Sequence, residues 1–307
     1  MDKLSRFWYE LEFEKAYMKR SGNSFQDLFC EIMERGYPND FQRVRPWGKY
    51  GDKKNDGYLK SKRMLFQIYA PNYISQEKTL AKIEEDFNGA LPYWQDYFDQ
   101  WIFTHNSRQG LSPVVLKKLL ELEKSNPGLK CPSWGYVEIS NELFALNDTD
   151  IELILGPAPS IADLLETGYP ELRTVLGAIS EIEPLSNQDL SPVSDKKLSS
   201  NALSLHVRAL IDFGRIKSSQ VGNFFQEYHD PEYGDKIAKA FNDKYTELRN
   251  QGIPPDEIFM KLQDFAGGKV RQNTRIETAI LAVLTYFFEK CDIFERPRPE
   301  ANNDSTD

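Results

Sequence analysis

The sequence predicts an α+β chain: a mixed sheet flanked by helices in the first half, then an all-helical second half. Three observations predict it. Short segments rich in β-branched and aromatic residues (FQRVRPW, DGYLK, RMLFQIYA, QWIFTHN) fall between residues 41 and 106. From residue 198 to residue 290, apolar residues recur at helical spacing almost without interruption. Between these regions lies GPAPS, Gly156–Ser160, whose Gly and Pro residues read as a boundary. The expected organisation is an α/β domain over 1–158, a helical domain over 159–296 and a disordered polar tail over 297–307.

In chain order, residues 3–20 read as an aromatic-rich helix. Ser24 offers an N-cap to a second helix, with Phe25, Leu28, Phe29, Ile32 and Met33 on one face and Gly36 at its end. Ser61–Lys62 is a candidate tight turn joining strand 56–60 to strand 64–70, and Pro71 stops the latter. Residues 76–99 are helical, with an interruption expected near Gly89–Pro92. SPVVLKKLLELEKSN has Ser112 as cap and Pro113 at its first position. A strand within 131–140 and a short helix to Leu155 complete the first half. The second half divides into helices 198–213, 218–228, 233–251, 255–265 and 274–290, after a polar loop over 183–196.

Bulk properties narrow the class. A 307-residue chain buries a large enough core to need no staples. Cys30, Cys131 and Cys291 lie far apart, with no metal-ligand spacing, and read as reduced and buried; this and the charged N-terminus point to a cytoplasmic protein. No apolar run approaches the ~20 residues of a membrane span. Net charge is −9, yet Arg35–Arg63 carries nine basic and three acidic residues, locally +6. Such a protein is no general polyanion binder, but it can hold a polyanion at one place.

The candidate site is WGKYGDKKNDGYLKSKRMLFQIYAP, Trp47–Pro71. A turn at Ser61–Lys62 sets Asp56 near one end of the hairpin, within approach of Gln67 if the strands twist or the register slips by two, and a helix packed on that sheet can add Glu31. Two carboxylates and an amide oxygen are hard donors of the kind Mg²⁺ takes while keeping several waters. Phosphodiester hydrolysis needs such a cation. The nearby Arg43, Arg45, Lys49, Lys53, Lys54, Lys60 and Lys62 supply cations for DNA phosphates. Each residue also has a plainer reading. Asp52 and Asp56 are good turn residues, Gln67 can bond within the sheet, Glu31 can sit on a solvated helix face, and the lysines can be a solvated surface. His105 reads as a turn histidine bonded to backbone, His206 and His229 as structural. A Cys–His hydrolase using Cys30 or Cys131 has only residue counts behind it.

The layout of a helix acid, then Gly51-Asp52-Lys53-Lys54-Asn55-Asp56-Gly57, then Gln67-Ile68-Tyr69 resembles restriction-endonuclease-like nucleases of the PD-(D/E)xK superfamily, Mrr-like branch. The resemblance implies Asp56, Glu31 and Gln67 around Mg²⁺ or Mn²⁺. It also implies a lysine where this chain has Tyr69, a departure that puts catalysis in question unless a neighbour such as Lys60, Lys62 or Lys78 replaces it. The second half is similar to the C-terminal domain of effectors of ABC-three-component, Lamassu-like anti-phage systems, through KLSSNALSLHVRALIDFG, IPPDEIF and AILAVLTYFFEKCDIFE. That resemblance implies an SMC/Rad50-like ABC ATPase and a small middle component as partners, DNA as target and a homo-oligomeric active form. The expectation is therefore a Mg-dependent DNA endonuclease effector, with a catalytically inactive nuclease-fold scaffold as the alternative.

Overall fold

The computed structural model describes residues 1–45, 52–180, 201–267, 273–290 and 293–294. Lys49, Cys291, the 183–196 loop and the 297–307 tail lie outside the described residues. The chain forms two compact units: Glu12–Gly156, and Met1–Leu11 together with Pro157–Asp307. No helix among the described residues is long and apolar enough to cross a membrane.

The first unit is built on a five-stranded sheet in the order β1-β2-β3-β4-β5: Phe41–Arg43, Gly57–Leu59, Met64–Tyr69, Gln100–His105 and Ser133–Trp134. The first three strands are antiparallel; β3, β4 and β5 run parallel. The parallel pairs require crossovers, supplied by α3 (Gln76–Trp94) and α4 (Pro113–Ser125). Helices α1 (Lys3–Lys19), α2 (Gly22–Gly36), α5 (Tyr136–Phe144) and α6 (Asp148–Leu155) complete the order; α1 enters this unit from Glu12 onward.

Strand alternation sorts the core into two layers. Leu65 and Tyr69 of β3 pack with Trp101 and Phe103 of β4 against Ile83, Phe87 and Ala90 of α3 and Val115 and Leu119 of α4. Phe66 turns the other way, its ring against Phe29 of α2 and Trp134. Gln67 therefore belongs to the α3 layer. Gly57 has a packing reason: a Cβ there would lie 2.4 Å from the Phe41 ring.

Two local expectations in this unit need correction. Helix α2 starts at Gly22 with Ser21 as N-cap, while Ser24 sits in the first turn and its hydroxyl accepts the Ser21 N–H at 3.1 Å. Helix α3 runs unbroken through Gly89 and Pro92. Pro92 falls in the last turn, where little helix remains to be disrupted. Gly89 faces the Lys54 side chain, whose Cγ would meet an added Cβ at 2.8 Å.

From residue 161 onward the described elements of the second unit are all helices: α7 (Ile161–Glu166), α8 (Tyr169–Ser180), α9 (Leu205–Glu227), α10 (Tyr233–Asn250), α11 (Pro255–Gly267) and α12 (Thr274–Glu289). Twelve residues of α12 are buried, so it is the core helix. The break expected between 213 and 218 is absent. Gly214 lies against α12, where a Cβ would meet Thr285 Oγ1 at 2.4 Å and the Leu281 carbonyl oxygen at 2.5 Å. This glycine brings two backbones together rather than ending a helix.

Candidate functional site

Asp56 directly precedes β2. The pairing Gly57↔Phe66, Tyr58↔Leu65, Leu59↔Met64 is the register that a turn centred on Ser61–Lys62 gives. Extended by one residue, it sets Asp56 opposite Gln67, with no slip. The Asp56 N–H donates to the Phe66 carbonyl at 2.9 Å. The Asp56 carboxylate accepts from the Ile68 N–H at 2.7 Å and from Gln26 Nε2 at 2.9 Å. It is only 7% exposed. Burial pushes its pKa up to about 6; the Ile68 N–H works against that rise, Asp52 and Asp86 add to it, and Lys82 opposes it.

Asp86, on α3, is the residue that sequence reasoning missed. It is fully buried, and its Oδ1 accepts from Lys82 Nζ at 2.8 Å and Lys54 Nζ at 3.0 Å. Lys54 also bonds Glu85, the main reason its pKa is raised. Asp86 Oδ2 is buried with no hydrogen-bond partner, as are Gln67 Oε1 and both amide atoms of Asn55. Each such orphan costs on the order of 1–3 kcal/mol. A signal existed: Thr79, Ile83, Phe87 and Ala90 form the inward stripe of α3, and Asp86 falls within it. A carboxylate in a core stripe is an expense that calls for a reason.

Glu31 is placed elsewhere. Five residues from Gln26 is roughly 140° around α2. Its carboxylate pairs with Arg35 at 3.3 Å, and Arg35 also takes Asp150 at 2.8 Å. Asp52 bonds the Lys54 N–H at 2.9 Å, the turn role, while Lys53 and Lys54 both hold positive φ. Tyr69 packs its ring against Phe103, 6.2 Å between centroids. Of the lysines expected to stand in, Lys60 Nζ bonds the Asn39 carbonyl at 3.1 Å and Lys62 Nζ the Tyr37 hydroxyl at 3.1 Å. Lys78 is exposed in the first turn of α3. The ammonium groups that reach the buried acids are those of Lys82 and Lys54.

The basic strip is largely answered within the fold. Arg43 bonds Glu34 and Asp27, and Arg45 bonds Asp27. Lys53 lies over the Tyr93 ring at 5.8 Å. Burial pushes the Cys30 and Cys131 thiols up to about 12, so neither supplies a thiolate near neutral pH. His105 ends β4 with Nδ1 accepting the Ser107 N–H at 3.2 Å, and burial brings its pKa down to about 4.

Among the described residues no three His, Cys, Asp or Glu side chains converge as a metal site. Two carboxylates and an amide share the α3 layer, Asp56, Asp86 and Gln67, with the Asp86 charge near enough to raise the Asp56 pKa. Two of their oxygens, Asp86 Oδ2 and Gln67 Oε1, have no donor. That set fits a hard divalent cation, which takes one or two carboxylates and completes its shell with water.

Residues 170–295 match CTD10, C-terminal domain 10 of the ABC-three component (ABC-3C) systems. The match runs from α8 through α12 and supports membership of the chain in such a system. The CTD10 region thus takes in the core helix α12 and the Gly214 crossing. No curated protein and no solved structure matches the chain.

Proposed function

We propose that the chain is the effector of an ABC-three-component anti-phage system, a metal-dependent DNA endonuclease whose CTD10 region docks on the ATPase partner. The carrying observation is the two buried carboxylates of Asp56 and Asp86, the second raising the pKa of the first, with Lys82 and Lys54 on Asp86 and a donorless Gln67 oxygen in the same layer. A mixed sheet flanked by helices, with Asp56 entering β2 opposite Gln67 of β3, supports the nuclease resemblance.

In this reading Asp56, Asp86 and Gln67 hold Mg²⁺ or Mn²⁺. The cation supplies phosphate polarisation and a water of lowered pKa. Lys82 takes the place left empty at Tyr69: its ammonium, 2.8 Å from Asp86, is positioned to hold a water or a phosphate oxygen. Loss of such a group costs on the order of 10²–10⁴ in rate.

The test is plasmid cleavage by the full chain with Mg²⁺ or Mn²⁺, alone and with its ATPase and middle component. Cleavage lost in both Asp56→Ala and Asp86→Ala supports the enzyme. DNA binding without cleavage in every combination leaves the second reading, an inactive nuclease-fold scaffold. That reading draws on the closure of the orphan oxygens to solvent and the internal pairing of Arg43 and Arg45.

A further inference from the structure

A pocket of about 240 Å³ lies at the carboxyl ends of the parallel strands β3 and β4, within the first unit. Crevices outside the carboxyl ends of parallel strands are where open α/β sheets take ligands. Tyr69, Phe103 and His105 present rings to it, Leu111 and Val115 add an apolar wall, and Ile74 stands at the edge, 57% exposed. Besides the Tyr69 hydroxyl and the His105 ring, the hydrogen-bonding side chains are Gln76, Thr79, Asn106, Ser107 and Ser112.

The lining contains no Asp, Glu, Lys or Arg. Its one titratable base, His105, is uncharged at neutral pH. A neutral, ring-lined space rejects free anions and cations alike, because a charge there would lose its water with no partner. Its volume is below the ~300–1,000 Å³ of drug-sized sites, which bounds the occupant to one small ring system. Aromatic walls with a few hydrogen-bonding groups suit a planar heterocycle with polar edges, the chemistry of a nucleobase.

The pocket also connects to the acidic pair. Tyr69 is two residues from Gln67 on the same strand face, about 7 Å. Thr79 is seven residues from Asp86 on α3, about 10 Å. The pocket thus stands on the same strand and helix as Gln67 and Asp86, within about 10 Å of them along the backbone. We propose that this pocket holds one unpaired nucleobase of the DNA strand, so that the chain engages single-stranded or locally opened DNA rather than intact duplex. The inference rests on the nuclease reading for the identity of the polymer, not for the existence of the pocket.

The experiment is a metal-free titration of the full chain, in EDTA, with a single-stranded oligonucleotide, its blunt duplex and free deoxynucleosides. Wild type, Ile74→Trp at the edge and Leu111→Phe in the wall are compared, each checked for an unchanged melting temperature. The expected result is at least tenfold tighter binding of single strand than duplex. That preference disappears in either variant, and millimolar deoxynucleoside competes with the strand in wild type. Equal affinity for single strand and duplex, or an undiminished preference in both variants, overturns the proposal; so does nucleoside binding that no strand displaces, which marks a free small molecule as the occupant. If the preference stands while no metal or partner yields cleavage, the nuclease reading fails and the base pocket survives.

Discussion

Asp56 sets the pH behaviour expected of single residues. Its folded pKa of about 6 lies above the ordinary aspartate value of 3.8, so ionising it costs stability. The cost is absent below pH 4, grows as pH rises toward 6, and then levels off at roughly 3 kcal/mol. Asp56→Asn removes the charge and leaves an oxygen for the Ile68 N–H. Thermal melts should show the variant gaining on wild type between pH 4 and 7, with a constant offset above. Equal pH dependence of the two proteins would show that Asp56 is not the group responsible. Asp86 accepts from two lysines, Lys54 and Lys82. Asp86→Ala leaves the ammonium groups of Lys54 and Lys82 without that acceptor and should destabilise by about 3 kcal/mol or more. Lys82→Met paired with Asp86→Leu should cost less than the sum of the single changes in a double-mutant cycle.

At the scale of elements, two mid-helix glycines make separable predictions. Gly89→Ala improves α3 propensity by about 1 kcal/mol, yet its methyl group collides with the Lys54 stem. The side chain is flexible enough to move, so the melting temperature should change little. Binding of Mn²⁺ in the absence of DNA, measured by calorimetry, should shift because Lys54 no longer lies on Asp86. An unchanged isotherm removes Lys54 from the site. Gly214→Ala has no such escape: its neighbours are the Leu281 backbone and Thr285. It should lower stability by about 1–3 kcal/mol despite the better propensity, read as a shifted denaturation midpoint.

At the scale of the whole molecule, the chain carries −9 charges and spends much of its basic strip on its own acids. DNA affinity should therefore fall only gently with salt, with a slope of log K against log salt of about −1 to −3 rather than the steep dependence of a phosphate-clamping surface. A slope steeper than about −6 would mean that these ion pairs open to take phosphates. Magnesium should raise the melting temperature of the full chain at pH 7.5 more than at pH 5, where Asp56 is protonated, and should not do so in Asp86→Ala.

The sequence by itself determined the α/β half followed by a helical half, the hairpin turn at Ser61–Lys62, and the likeness of the second half to ABC-three-component tails; the unslipped register that sets Asp56 opposite Gln67 came from the structure. The first three are local facts, carried by alternation, turn residues and helical period within a few dozen positions. Glu31 went astray because one helix offers several exposed acids, and only packing decides which face meets the strand end. The convergence of Lys54 and Lys82 on Asp86 required α3 to cross the sheet over the Asp52–Asp56 turn. That juxtaposition depends on the crossover between β3 and β4, and so on tertiary packing. Gly89 and Gly214 teach the same lesson in reverse. Residues that look locally like helix breakers were kept for the neighbour they admit, and a neighbour distant along the chain leaves no mark on local periodicity.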